Sequence, residues 1–189
     1  MKVIVASANK HKLEEIAQIL TDFELISMRD IGFDGDIEEN GSTFKENALI
    51  KAKFICEKFA LPALADDSGL CVDALGGAPG VYSARYSGGG DRENRALLLK
   101  NLQHCNVRTA RFKSVICQYF PDGKVLFGEG ACEGEIAFEE TGCNGFGYDP
   151  LFYSYDLKKS FGQASAEEKN SVSHRFRALN DLKSKLYSE

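Results

Sequence analysis

The chain has 189 residues and a mass of 20.8 kDa; 43% of its residues are apolar and 27% are charged. This length and composition predict one globular domain over residues 1–189 and exclude a disordered or fibrous chain. Acidic residues outnumber basic ones by 28 to 23, for a net charge of −5, so the sequence lacks the basic surplus of a general nucleic-acid or membrane-surface binder. A small polyanionic ligand remains compatible with this charge, because it needs only a local cluster of cations.

We expect neither a targeting segment nor a membrane span. Residues Met1–Ala8 hold one apolar run that is too short for a signal peptide, and nowhere do about 18 apolar residues run together. A cytoplasmic protein is therefore expected. The six cysteines form no C-x-x-C pair and the three histidines are scattered, so we expect buried thiols rather than disulfides or a zinc site.

The first part of the chain alternates strand and helix patterns. Val3–Val5 is a β-branched run, and a helix follows with Leu13, Ile16, Ala17 and Leu20 on one face. A second strand is predicted near Phe23–Met28, before an acidic loop at Asp34–Asn40.

A capping box, Thr43 with Glu46, starts the next predicted helix, and Pro62 prevents its continuation. Ala63–Ala65 then reads as a short buried strand with Asp66 and Asp67 at its carboxyl end.

The second part of the chain resembles an antiparallel meander. The predicted elements are a helix at Asp91–Leu102, strands at Phe112–Phe120, Lys124–Phe127 and Leu151–Tyr153, and a last helix that begins near a capping box at Ser165–Glu168. No repeat or linker divides the chain. We predict an α/β fold with an elongated mixed β-sheet that is flanked by helices and forms two lobes.

Ser7-Ala8-Asn9-Lys10-His11-Lys12 lies between a strand and a helix. Free backbone N–H groups and the positive end of the helix dipole meet there, and the lysines add charge, so the segment could bind an anion. The alternative is a helix N-cap with solvated lysines.

Asp66-Asp67-Ser68-Gly69 is a sharper signal, because adjacent carboxylates follow an apolar strand. Such oxygen ligands suit Mg²⁺, which takes one or two carboxylates together with phosphate oxygens, and one carboxylate could accept a proton from water. The alternative is an Asp-Ser-Gly turn. The acidic run Asp36-Ile37-Glu38-Glu39 is typical of a solvated loop when taken alone.

Two further segments could contact a nucleotide. Phe146-Gly147-Tyr148-Asp149-Pro150 combines aromatic faces, which can stack on a base, with a carboxylate. Lys169, Ser173, His174 and Arg175 place cations and a hydroxyl around the start of the last helix. The alternatives are a turn with core aromatics and a solvated helix end.

Together these motifs resemble the inosine triphosphate pyrophosphatase family. The resemblance rests on the motifs above and on two more blocks, Thr43-Phe44 with Glu46-Asn47-Ala48 and Lys51-Ala52, and Gly76-Gly77-Ala78-Pro79-Gly80-Val81-Tyr82-Ser83-Ala84-Arg85-Tyr86. The blocks follow the family order from residue 7 to residue 175 and cover nearly the whole chain. Two departures are Ala8, where the family often has glycine, and Phe176, where bacterial members often have glycine.

The resemblance implies a Mg²⁺-dependent hydrolase that cleaves dITP, ITP and XTP to the monophosphate and pyrophosphate. Such an enzyme cleanses the nucleotide pool and prevents incorporation of deaminated purines into DNA and RNA. The resemblance also implies a homodimer, with the active site in a central cleft between the two lobes.

The family's roles are carried over to matching positions. Asp67 is the expected proton acceptor and a metal ligand, and Glu38 is the expected second metal ligand, with Glu39 as the alternative. Ser7, Ala8, Asn9, Lys10, His11 and Lys12 are expected to hold the triphosphate, Ser68 to touch the nucleotide, Phe146, Gly147, Tyr148 and Asp149 to bind the base, and Lys169, His174 and Arg175 to complete the pocket.

Two other functions remain open at this point. One is a nucleotide-binding or sensing protein without turnover, although its acidic residues would weaken the binding of a polyanion. The other is a pyrophosphatase that acts on modified pyrimidine nucleotides.

Overall fold

The computed structural model describes residues 1–188 and contains seven strands and five α-helices in that range. The strands are β1 (Lys2–Val5), β2 (Glu24–Ser27), β3 (Ala63–Val72), β4 (Thr109–Tyr119), β5 (Val125–Ile136), β6 (Phe152–Ser154) and β7 (Lys159–Ser160). The helices are α1 (Lys10–Ile19), α2 (Phe44–Phe59), α3 (Asp91–Asn101), α4 (Ala166–Val172) and α5 (His174–Leu186). Short 3₁₀ turns lie at Asp73–Leu75, Gly80–Arg85 and Phe161–Gln163.

The strands form one mixed sheet in the order β2-β1-β3-β4-β5-β6-β7. Strand β1 pairs in parallel with β2 and with β3, whereas β6 pairs antiparallel with β5 and with β7. The predicted α/β class with a mixed sheet is therefore confirmed. None of the helices within residues 1–188 is long and apolar enough to cross a bilayer.

The chain divides into two compact units. The first contains Met1–Asp67, Ser114–Gly130 and Arg175–Glu189, and the second contains Ser68–Lys113 and Ala131–His174.

In the first unit, alternate residues of the strands enter two separate cores. Val3 and Val5 pack with α1 and α5, whereas Ile4 and Ala6 pack with α2. Because successive strand residues point to opposite faces, α1 and α5 cover one face of the sheet and α2 covers the other. The alternation of side chains along a strand thus determines whether a side chain packs against α1 and α5 or against α2.

The second unit has an aromatic core. Phe112 lies 4.7 Å from Phe152 and 6.0 Å from Phe161 between ring centroids. Leu98 of α3 is fully buried in the same cluster. This core supports both α3 and the loop between β5 and β6.

Strand β3 differs from its prediction. We expected it to end at Ala65, but it continues to Val72, so Asp66 and Asp67 lie within a strand and the Asp-Ser-Gly turn is wrong. Carboxylates usually end a buried strand because their burial is costly. Here the buried cations Arg175 and Lys51 compensate Asp66 and Asp67, respectively. The buried Leu70 and Val72 continue the strand.

The end of the chain also differs in detail. The capping box of Ser165 with Glu168 is present, but it starts the seven-residue helix α4, and a separate helix α5 follows a break at Ser173. The backbone of Ser173 is extended, with φ −64° and ψ 157°. This break lies directly before His174 and Arg175.

Candidate active site

The segment Ser7–Lys12 begins helix α1 as predicted. Asn9 is the N-cap, and its side-chain oxygen accepts a hydrogen bond from the backbone N–H of Lys12 at 3.2 Å. Ser7 Oγ accepts one from the N–H of Asn9 at the same distance. Ala8, Lys10 and His11 are exposed. The segment therefore combines an N-cap with exposed residues at a helix N-terminus.

Lys12 turns inward from this segment toward Asp66. Its Nζ lies 3.0 Å from Asp66 Oδ2. Burial lowers the pKa of Lys12; Asp66 acts in the opposite direction, and the charges of Lys51 and Arg175 add to the lowering. The ammonium is thus held among other charges rather than in solvent.

Asp66 is a fully buried carboxylate with several partners. Arg175 donates to its Oδ2 from Nη2 at 2.8 Å and from Nε at 3.2 Å, and Ser114 donates to Oδ1 at 2.6 Å. Burial opposes ionisation of Asp66, but the charges of Arg175 and Lys12 and these hydrogen bonds outweigh it and hold the pKa well below its usual value. Arg175 also contacts Glu15. Asp66 therefore remains charged and fixes Lys12 and Arg175 in place.

Asp67 has a different environment. Its Oδ2 accepts from Asn47 Nδ2 at 3.2 Å, and its Oδ1 lies 3.3 Å from Lys51 Nζ. Burial raises the pKa of Asp67, the charges of Lys51 and Lys12 oppose this, and Glu39 and Asp66 add to the rise. A carboxylate whose pKa is raised accepts a proton more readily, which suits a general base.

The acidic loop brings one glutamate to the same lysine. Glu39 Oε2 lies 3.3 Å from Lys51 Nζ, while Glu38 is exposed and, within residues 1–188, makes no ion pair. No group of three or more His, Cys, Asp and Glu side chains in this range could hold a metal by itself. Carboxylate oxygens of Asp67 and this loop fit Mg²⁺ when substrate phosphates and water supply the remaining ligands.

Sequence reasoning missed Lys51 and Asn47 as site residues. Both are buried polar side chains on α2, one turn apart, and Lys51 also donates to the backbone oxygen of Asp66 at 3.0 Å. The signal was present, because a lysine directly beside Ala52 on the apolar face of a helix needs a buried partner.

In the second unit, Asp149 organises the predicted base loop, Phe146–Pro150. Its Oδ2 accepts from the N–H of Phe146 at 2.8 Å and from Lys169 Nζ at 2.7 Å, and Lys169 lies 4.6 Å from the centre of the Phe146 ring. Gly145 has a φ of +76°, and a Cβ there would collide with the carboxylate of Asp149. Asp149 therefore acts within the loop, and a glycine is needed beside it.

Other predicted residues are also placed in the second unit. Tyr148 is buried and donates through its hydroxyl to the Ser83 backbone oxygen at 2.9 Å. His174 stacks on Phe112 with ring centroids 4.9 Å apart. Ser68 is half-buried within β3.

The predicted residues thus form two groups. In the first unit, Lys12, Asp67 and Arg175 are joined through Asp66 and Lys51, although we had assigned Arg175 to the pocket with Lys169. In the second unit, Phe146, Asp149 and Lys169 are in mutual contact.

Residues 3–185 match the model of the Ham1 family, which is nearly the whole chain. The chain belongs to the Ham1 family. A dITP/XTP pyrophosphatase of Haemophilus influenzae is 49% identical to it, with 98% of each chain covered. A dITP/XTP pyrophosphatase of Halalkalibacterium halodurans is 47% identical, with 95% of each covered.

Solved Ham1 structures agree with this membership. The Ham1 protein of Staphylococcus aureus has a TM-score of 0.90 at 40% identity, covering 100% of this chain and 99% of that one. The HAM1 protein of Coxiella burnetii has a TM-score of 0.91 at 40% identity and covers both chains fully. The family that we predicted from the motifs is thus confirmed.

Proposed function

We propose that this Ham1 protein hydrolyses dITP, ITP and XTP to the nucleoside monophosphate and pyrophosphate and thereby removes deaminated purines from the nucleotide pool. The observation that carries the proposal is the buried Asp67, held between Asn47 and Lys51, in a chain that is 49% identical to a dITP/XTP pyrophosphatase.

Asp67 is the proposed proton acceptor. Water attacks phosphorus in the anhydride link between the α- and β-phosphates, and the bridging P–O bond breaks. The nucleoside monophosphate and pyrophosphate separate, and Asp67 takes one proton of the attacking water. Phosphoryl transfer depends mainly on positioning and charge neutralisation and needs no covalent nucleophile. The segment Ser7–Lys12 would bind the triphosphate at the N-terminus of helix α1, where Lys10 is exposed.

Asp67 and Glu38 are the proposed ligands of Mg²⁺. When bound, this ion would neutralise phosphate charge and lower the pKa of water. Glu39 Oε2 lies 3.3 Å from Lys51 Nζ, whereas Glu38 is exposed and makes no ion pair within residues 1–188. This difference favours Glu38 as the second ligand and makes Glu39 the acid to test against it.

The base is proposed to stack on Phe146, whose ring also faces Lys169 at 4.6 Å. Ser68, Gly147, Tyr148, Asp149 and His174 would shape the remainder of the nucleotide site. Arg175 would act near the phosphates, because it holds Asp66 in the first unit together with Lys12.

A substrate panel tests the proposal. Purified protein is mixed with Mg²⁺ and with ITP, dITP, XTP, GTP, ATP or modified pyrimidine triphosphates, and pyrophosphate and orthophosphate are measured separately. We expect pyrophosphate from ITP, dITP and XTP. Orthophosphate as the first product, turnover confined to pyrimidines, or tight ITP binding without turnover would each contradict the proposal.

A homodimer and a cytoplasmic location are part of the same proposal, on the basis of the family resemblance. Light scattering of the purified protein should give twice the chain mass of 20.8 kDa. A mass of one chain at micromolar concentration would contradict the homodimer.

A further inference from the structure

Two side chains of helix α3 hold the backbone of one residue of the base loop, Gly147. The Asp91 carboxylate accepts a hydrogen bond from the backbone N–H of Gly147 through Oδ2 at 2.8 Å. Arg95 donates from Nη1 to the backbone oxygen of the same glycine, also at 2.8 Å. Asp91 and Arg95 are four residues apart and so lie on the same face of the helix.

These two bonds hold a glycine that lies outside the helices and strands. Gly147 lies between Phe146 and Tyr148 and has a φ of +59°, which glycine adopts without strain. Within residues 1–188, its backbone N–H and C=O bond only to Asp91 and Arg95. Both bonds involve a charged group, and such bonds are shorter and stronger than neutral ones.

Arg95 is itself held in position. Its side chain is 15% exposed, and its Nε donates to Glu140 Oε1 at 2.8 Å. Asn94, its neighbour on α3, is buried and donates to the backbone oxygens of Ser83 and Ala84. The helix that holds Gly147 is therefore fixed by its own contacts.

We propose that Asp91 and Arg95 are positioning residues for base recognition. By fixing the backbone N–H and the backbone C=O of Gly147, they set the orientation of Phe146, against which the base stacks. The inference rests on the proposed function, because it deepens the role of the base loop. The proposed function assigns neither side chain to the phosphates.

The test compares matched variants on the same turn of α3. Asp91→Ala removes the acceptor, and Asp91→Asn keeps an acceptor oxygen. Arg95→Met removes the donors but keeps the apolar stem, and Arg92→Ala removes one positive charge at an exposed neighbouring position. Melting temperature and circular dichroism establish that each variant is folded.

We expect the KM for ITP to rise about tenfold in Asp91→Ala and Arg95→Met, the size expected for loss of one charged hydrogen bond. The kcat should fall by less than this. Asp91→Asn should recover most of the loss, and Arg92→Ala should equal the wild type. In free energy, the double variant should show less than the sum of the two single effects, because both side chains hold the same glycine.

Product inhibition separates positioning from a general loss of structure. Inosine monophosphate carries the base and pyrophosphate does not, so both damaging variants should bind the monophosphate more weakly and pyrophosphate as well as the wild type does. Equal weakening for both products, or unchanged KM and inhibition in both variants, would overturn the inference. A wild type that is inactive on ITP would overturn the proposed function and this inference with it, whereas an active wild type with wild-type-like variants would overturn this inference alone.

Discussion

Asp66 and Asp67 are neighbours in sequence and lie in opposite environments. Successive residues of a strand point to opposite faces, so Asp66 meets Lys12 and Arg175 on the side of α1 and α5, while Asp67 meets Lys51 on the side of α2. The pKa of Asp66 is lowered and that of Asp67 is raised. One carboxylate thus fixes cations, and the other is suited to accept a proton.

Asp67→Asn should therefore abolish turnover and preserve the fold. The amide keeps the shape of the side chain but accepts no proton, and loss of a general base slows turnover by roughly 10²- to 10⁴-fold. Pyrophosphate release and the melting temperature are measured together. Asp122→Asn, at an exposed acid of the turn between β4 and β5, is the control and should keep full activity. Substantial activity in Asp67→Asn would assign the proton to another group.

Variants of the two glutamates of the acidic loop, Glu38 and Glu39, should differ in the Mg²⁺ concentration that they need for activity. Glu38→Gln removes the proposed metal ligand, so the Mg²⁺ concentration for half-maximal activity should rise by at least about tenfold, as is typical when a charged bond is lost. Glu39→Gln removes a partner of Lys51 and should leave this concentration nearly unchanged. The reverse result would assign the metal to Glu39.

At the scale of elements, local signals predicted well and long-range compensation did not. Both capping boxes are present, Thr43 with Glu46 and Ser165 with Glu168, because each depends on residues three apart. The length of β3 was wrong because its acids are stabilised by partners far away in sequence. Arg175, for example, is separated from Asp66 by 109 positions.

The end of helix α5 is tied to the turn that precedes β2. Lys183 Nζ donates to Asp22 Oδ1 at 2.8 Å, and the Tyr187 hydroxyl donates to Oδ2 at 2.7 Å. The hydrogen bonds from Lys183 and Tyr187 lower the pKa of Asp22 to about 2. Because both hydrogen bonds are made to the ionised carboxylate of Asp22, their contribution to stability depends on pH.

Asp22→Asn should lower the melting temperature slightly at neutral pH. The folded pKa lies below the usual value, so the stabilisation is present above about pH 4 and is lost as the pH falls toward 2. The difference between wild type and variant should therefore shrink from pH 6 to pH 2 in thermal melts. Asp34→Asn, at an exposed acid, is the control. A difference in melting temperature that grows as the pH falls would contradict a stabilising role of the ionised Asp22.

At the scale of the molecule, the ordered motifs predicted the family and the sheet class. Sequence order did not reveal which charges meet, because ion pairs between distant segments leave no local pattern. In the first unit, the carboxylates of Glu15, Glu39, Asp66 and Asp67 outnumber the cations Lys12, Lys51 and Arg175. These carboxylates already exceed the cations, so a bound triphosphate would need further positive charge. This need supports the proposed divalent ion.

The burial of the cysteines predicts which thiols react with an alkylating reagent. Cys56 and Cys117 are buried, and burial raises the pKa of Cys117 to about 12, so its thiol stays protonated at pH 8 and reacts slowly. Cys143 is exposed. Iodoacetamide should therefore modify Cys143 first in the native protein and all six cysteines after unfolding, as measured by peptide mass spectrometry. Native labelling of Cys117 as fast as Cys143 would show that the α2-facing core opens, since Cys117 packs in that cluster.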